Sequence, residues 1–150
     1  MYYSYVILGG PLSHYIAFEW FNVEVVDEAP TSDPEYGSIG LNLRVNGVSK
    51  TLFSANFEYN LYRTIRASGA NGSELYLSAA DENWGIGTFV LPPSSSNAWK
   101  EGDILYTARR PGTLTITSWS KTKAEGTFTF PAEDSGGNDI VVEGDFQYPP

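Results

Sequence analysis

Gly112–Tyr148 reads GTLTITSWSKTKAEGTFTFPAEDSGGNDIVVEGDFQY. Leu114 and Ile116 alternate with Thr113, Thr115 and Thr117. That period of two marks a strand with one solvated face. Lys121–Glu125 is a short polar connection, and Gly126 leads into Thr127-Phe128-Thr129-Phe130. Phe128 and Phe130 fall on one face there, Thr127 and Thr129 on the other. Pro131 lacks an N–H and is expected to stop the strand. The two runs together predict an antiparallel hairpin. Asp134–Asn138, with two consecutive glycines, predicts a turn. A last strand follows from about Asp139 to Tyr148. Ile140, Val142, Phe146 and Tyr148 share one parity, and Asp139, Glu143, Asp145 and Gln147 the other. Gly144 occupies an apolar-face position without a side chain, which predicts a bulge or a close backbone approach.

The rest of the chain reads as more strands packed on these. Ile39, Leu41, Leu43 and Val45 alternate inward, and Asn46-Gly47 is the strongest hairpin signal in the sequence. The return run, Ser49–Tyr59, places Phe53, Ala55, Phe57 and Tyr59 on one face. Leu61–Ala67 predicts a further strand, Ser68–Ser73 a turn, and Leu75 with Leu77 a short strand. Asp81–Gly85 is expected as a loop around Trp84, followed by a strand at Gly87–Leu91. Pro92–Glu101 is expected as a loop containing Trp99, and Ile104–Arg109 as a strand closing at Pro111. Towards the N-terminus, Tyr2–Leu8 is a tyrosine-rich strand candidate broken at Gly9-Gly10-Pro11. His14–Val26 is a long apolar run whose phase flips at Trp20-Phe21, which predicts a bulge or a change of partner. Asp27–Ser38 carries two prolines and several acids and is expected as a loop.

About ten short strands, no sustained helical period and short connections predict an all-β protein. The expected form is an antiparallel two-layer β-sandwich with jelly-roll or Greek-key-like connections. One domain spanning residues 1–150 is the natural division, with N-terminal strands in 1–38 and a core in 39–150.

Three segments, GTLTIT, EGTFTF and IVVEGDF, resemble the C-terminal strands of a family of lipoprotein-like β-domains of unknown function common in Bacteroidota. Leu41–Gly47 is similar to that family's opening strand and Asn-Gly turn, and Gly87–Leu91 to its central strand. The resemblance covers roughly residues 41–148. It implies a β-sandwich and no known reaction, so it carries no catalytic residue onto this chain. Met1–Ser38 matches nothing in that pattern, and the lipoprotein cysteine is missing.

Composition narrows the chemistry. The 150 residues carry 9 basic and 18 acidic side chains, for a net charge of −9. The basic residues are scattered, whereas a nucleic-acid footprint needs a basic stripe. An anionic membrane surface is disfavoured for the same reason. No apolar run reaches the length of a bilayer span, so membrane insertion by a helix is not expected. The start, MYYSYVILGG, lacks a basic n-region and its apolar run is short for a signal peptide. Two settings are therefore expected. An extracellular or periplasmic surface fits if an export segment has been removed, and a virion or other assembly fits otherwise. With no cysteine, disulfides, thiolate nucleophiles and thiolate metal sites are excluded.

No arrangement of residues rises to a catalytic motif. His14 is the only histidine, and no Gly-x-Ser-x-Gly elbow accompanies it, so a strand-flanking histidine is the simpler reading. Glu19 and Glu24 lie among aromatic residues but on opposite parity, unlike a hydrolytic carboxylate pair. Oxygen ligands on turns suit calcium, which makes Asp134, Asn138 and Asp139 weak calcium candidates; plain acidic turns are the simpler reading. Exposed tryptophans stack on sugar faces, so Trp84 and Trp99, with Asp81 and Asn83 nearby, are the candidate ligand-binding residues; capping the core is the competing role. Threonines 113, 115, 117, 127 and 129 should share one hairpin face, and a flat threonine array orders water. Threonine is also an ordinary solvent-facing strand residue.

These readings lead to an expectation of a non-catalytic module that binds a glycan or a protein at a surface. The alternative is a structural component of a larger assembly, such as a phage virion or an injection apparatus. In that case Tyr2, Tyr3, Tyr5, Trp20 and Phe21 would form the interface, because Tyr and Trp are typical of interfaces, and a homo-oligomer would be expected. A hydrolase with unrecognised acids is the weakest reading.

Overall fold

The computed structural model describes residues 37–59, 63–79 and 84–150. All of these lie within the unit Thr31–Pro150. Tyr2, Tyr3, Tyr5, His14, Glu19, Trp20, Phe21, Glu24, Asp81 and Asn83 lie outside the described residues.

Alternating sequence builds eleven strands: β1 (Gly40–Val45), β2 (Val48–Lys50), β3 (Leu52–Tyr59), β4 (Arg63–Gly69), β5 (Glu74–Ser78), β6 (Gly87–Leu91), β7 (Ala98–Glu101), β8 (Ile104–Ala108), β9 (Gly112–Trp119), β10 (Ala124–Glu133) and β11 (Asp139–Tyr148). There is no α-helix among the described residues, only a 3-10 turn at Ala70–Gly72. Every pairing is antiparallel, which the short connections of the hairpin-linked neighbours require of those pairs.

The strands belong to one sheet, in the order β2-β1-β11-β10-β8-β7-β5-β4-β3, with β9 pairing β10 and β6. Two forks shape it. One edge of β10 pairs β9 up to Thr129 and then β8 from Ala132. One edge of β1 pairs β2, while the residues just before β1 meet β3. There Ile39 donates its backbone N–H to Ala55 O at 2.9 Å, and Phe57 donates to Gly37 O at 3.4 Å. These bonds bring the last strand in the order back to the segment preceding β1, so the sheet is nearly closed into a barrel. The all-β, antiparallel architecture is as the sequence predicts, and the hydrogen bonding joins all the described strands into one sheet.

The central hairpin is as expected, with one correction. Pro131 does not end β10; it pairs with Val141 in the middle of the ladder to β11. Its missing N–H falls where the other edge of β10 changes partner from β9 to β8, so no bond is lost there. Of the two readings of Gly144, the close backbone approach holds. A Cβ on Gly144 would lie 2.6 Å from Asn42 O and 2.8 Å from the Phe128 ring. The bulge of this region sits at Glu125/Gly126, in the pairing of β10 with β9.

The inward residues pack into a continuous core. Leu43 and Val45 come from β1, Ala55 and Phe57 from β3, Ile65 and Ala67 from β4, and Leu75 and Leu77 from β5. Trp99 comes from β7, Leu114 and Ile116 from β9, Phe128 and Phe130 from β10, and Ile140, Val142 and Phe146 from β11. Phe53 breaks the expected face and stands 75% exposed. A register shift between Leu52 and Ser54 turns it outward, while Leu52 on one side and Ala55 and Phe57 on the other face the core.

A cation on a tryptophan marks each end of the barrel. Near the β7–β8 turn, Lys50 Nζ lies 5.9 Å from the Trp99 ring centroid and 2.5 Å from Glu101 Oε1. At the other end, the Arg63 guanidinium lies 5.7 Å from the Trp119 ring and donates to Trp84 O at 2.9 Å. Around it, Phe57 meets Trp84, Trp119, Phe146 and Tyr148 edge-on, with centroids 5.7 to 6.5 Å apart. Edge-to-face contact is the geometry that aromatic quadrupoles favour.

Candidate functional site

The two tryptophans named as candidate ligand-binding residues are core residues, as the competing reading had it. Trp99 lies in β7 and is 0% exposed; Trp84 precedes β6 and is 3% exposed. The sequence predicts a loop throughout Pro92–Glu101, but Ala98–Glu101 is strand β7, and Asn97 turns inward and ends the loop. Its side-chain oxygen accepts from Ser78 N at 2.7 Å and its amide donates to Pro92 O at 2.9 Å. With those groups satisfied, the chain enters β7 and buries Trp99. Trp99 Nε1 donates to Glu101 Oε2 at 3.4 Å, whereas the buried Trp84 Nε1 has no acceptor among the described residues. Neither ring face is open to a sugar in this arrangement. The Lys50 ammonium bound to the Glu101 carboxylate holds that carboxyl below the usual range.

The calcium candidates form a self-contained turn. Asp134 Oδ1 accepts from Gly136 N at 2.8 Å and Asn138 N at 2.9 Å, and its Oδ2 accepts from Asn138 Nδ2 at 2.8 Å. These donors, the Asn138 side chain first, hold its carboxyl below the usual range. Asp139 faces away, towards Arg110 Nη2 at 3.5 Å. No cluster of three or more His, Cys, Asp or Glu side chains occurs among the described residues.

What remains is the outer surface of the sheet, and it has two characters. Across β6, β9 and β10 the registers place Thr88, Thr115 and Thr127 in one row, and Val90, Thr113 and Thr129 in the next. Thr117 leaves this array at the bulge and donates to Glu125 O at 3.3 Å. Further along, Asn42 donates to Asp145 at 2.8 Å and Arg44 to Glu143 at 3.0 Å. This surface is polar and has no aromatic ring facing out.

The outer face of β3, β4 and β5 combines an aromatic ring with hydrogen-bonding groups. Asn56, Arg66 and Tyr76 form one cross-strand row; Ser54, Ser68 and Glu74 form the next. The Arg66 guanidinium lies 5.1 Å from the Tyr76 ring centroid and its Nε is 3.0 Å from Glu58 Oε2. The Tyr76 hydroxyl donates to Glu74 Oε2 at 2.7 Å, and this bond to a carboxylate pushes the phenol pKa up. Ser54 and Ser68 share a hydrogen bond at 2.7 Å. Together these side chains surround an open hollow of about 220 Å³. It thus holds a half-buried ring, a planar cation, two carboxylates, two hydroxyls and the Asn56 amide, with the ring, the cation, the carboxylates and the hydroxyls each held by a neighbour.

Sequence reasoning missed this cluster because every member reads as an ordinary solvent-facing position on an alternating strand. The one available signal was the parity: Ser54, Asn56 and Glu58, Arg66 and Ser68, and Glu74 and Tyr76 all lie on the outward phase of three consecutive strands. In comparisons with known proteins, no family model, no curated protein and no solved structure matches this chain.

Proposed function

We propose that this protein is a non-catalytic binding module that takes a hydroxyl-rich ligand, a glycan, on the outer face of β3, β4 and β5. The observation that carries this reading is the Tyr76 ring under the Arg66 guanidinium, set among polar groups in an open hollow. A sugar ring presents an apolar face and a rim of hydroxyls, and an aromatic ring surrounded by fixed donors and acceptors meets both. Each carboxylate there is already engaged, Glu58 by Arg66 and Glu74 by Tyr76, so they serve as acceptors held in place and not as an acid–base pair. In this reading the forks at β10 and β1 flatten the barrel into two layers, the sandwich expected from the sequence, with the ligand on one of them.

A glycan array on the full chain, followed by calorimetry on any ligand found, tests this. Tyr76→Ala should weaken binding at least about tenfold, and Arg66→Ala by a similar factor, while Thr115→Ala on the other outer face leaves affinity unchanged. Binding that survives Tyr76→Ala at full strength, or the lack of any glycan ligand, refutes the proposal.

A further inference from the structure

Among the described residues β6 is an edge strand. Its five residues pair with β9 in unbroken register and, among the described residues, with no other strand. An open edge offers backbone N–H and C=O groups to another strand, and natural proteins usually block it with charge, proline or a bulge. Gly87-Thr88-Phe89-Val90-Leu91 has none of these within the strand; Pro92 and Pro93 come only after it. Beside it, Ile86 is 73% exposed and Val90 59% exposed.

We propose that β6 pairs antiparallel with β6 of a second copy of this chain, extending the sheet across a twofold axis. Charge selects this occupant. The chain carries a net charge of −9, so two copies repel one another over most of their surfaces. From Trp84 to Trp99, and again from Gly112 to Ser120, there is no charged residue. β6 and its neighbour β9 therefore form a charge-free approach along which two acidic copies meet without like charges opposed. A basic partner would find no carboxylate on either strand to pair with. Antiparallel pairing of a strand with itself is self-complementary, the condition for a closed twofold dimer. Ile86 and Val90 of each copy then line the seam and lose their exposure.

The test is sedimentation velocity of the full chain over a dilution series, with three variants. Wild type should show a concentration-dependent dimer. Val90→Lys and Ile86→Lys should each raise the dissociation constant at least about tenfold, because each places like charges across the seam. Val48→Lys, at an exposed apolar position on the β1–β2 hairpin, should leave it unchanged. Hydrogen exchange on wild type is the second readout. The amides of residues 87–91 should exchange more slowly as concentration rises, which holds even if a lysine variant folds poorly. A chain that stays monomeric throughout, a dimer insensitive to Val90→Lys and Ile86→Lys, or a dimer equally weakened by Val48→Lys overturns the proposal. So does exchange at residues 87–91 that is indifferent to concentration. Glycan binding on β3–β5 is read separately, so the failure of either proposal leaves the other standing.

Discussion

Trp99 gains its role from depth. A tryptophan among Pro, Ser and Asn looks like a loop residue displayed for a ligand, yet its indole fills the barrel beneath Lys50 and Glu101. Lys50 is directly opposite Leu43, on the core side of the sheet. Its aliphatic stem can cover the indole while its ammonium reaches Glu101 at the rim. Removing such a ring deletes its burial and leaves a cavity that the surrounding strands only partly collapse. Trp99→Ala is therefore expected to destabilise the fold by about 3–5 kcal/mol. Urea denaturation checks this against Tyr76→Ala, which lies on the outer face and should cost about 1 kcal/mol or less. A Trp99→Ala loss as small as that of Tyr76→Ala would mean that the indole is not part of the core.

At the scale of elements, β10 and β11 are locked by exchanged glycines. Gly126 pairs with Phe146, and Phe128 pairs with Gly144, so each ring lies over the bare backbone of the opposite strand. A Cβ on Gly126 would come within 2.6 Å of the Phe146 ring, as the Gly144 position does with Phe128 at 2.8 Å. Gly144→Ala must displace both that ring and the Asn42 carbonyl, and is expected to cost about 1–3 kcal/mol by thermal or urea unfolding. Gly47→Ala supplies no comparison for packing, because Gly47 has φ of +76° and its penalty is conformational. A neutral Gly144→Ala would show that β1 and β11 part easily at that point. Alternation made these strands legible. Leu114 and Ile116, Phe128 and Phe130, and Ile140 and Val142 all face inward as read, and Asn46-Gly47 turns the first hairpin with positive φ at both residues. What alternation cannot show is where it slips. Nothing in Leu52-Phe53-Ser54 announces the register shift that exposes Phe53. Nothing in the composition of Ser94–Ala98 announces that Asn97 will bury its amide and start a strand. The polar cluster around Arg66 was hidden for a related reason: an outward parity names a face but not the neighbours across it.

For the whole molecule, the decisive joins are between residues distant in sequence. Many neighbouring strands are close in sequence, as in β3–β4–β5, β7–β8 and β10–β11. The two ends of the described chain are joined only when β1 pairs with β11, Gly40 opposite Gln147 and Val45 opposite Val142. A local hairpin costs little loop entropy to form, whereas the β1–β11 pairing must close almost the entire described chain. Topologies dominated by such pairings fold on the millisecond-to-second scale. The local β3–β4–β5 meander should accordingly be formed in the transition state and the β1–β11 seam should come later. Ile65→Val, in β4, is expected to slow folding with little effect on unfolding. Leu43→Ala, on β1 at the seam, should chiefly accelerate unfolding. Stopped-flow chevrons on the two variants decide the order. If Leu43→Ala instead shifts the folding limb by its full loss of stability, closure of the barrel comes first and the meander docks onto it.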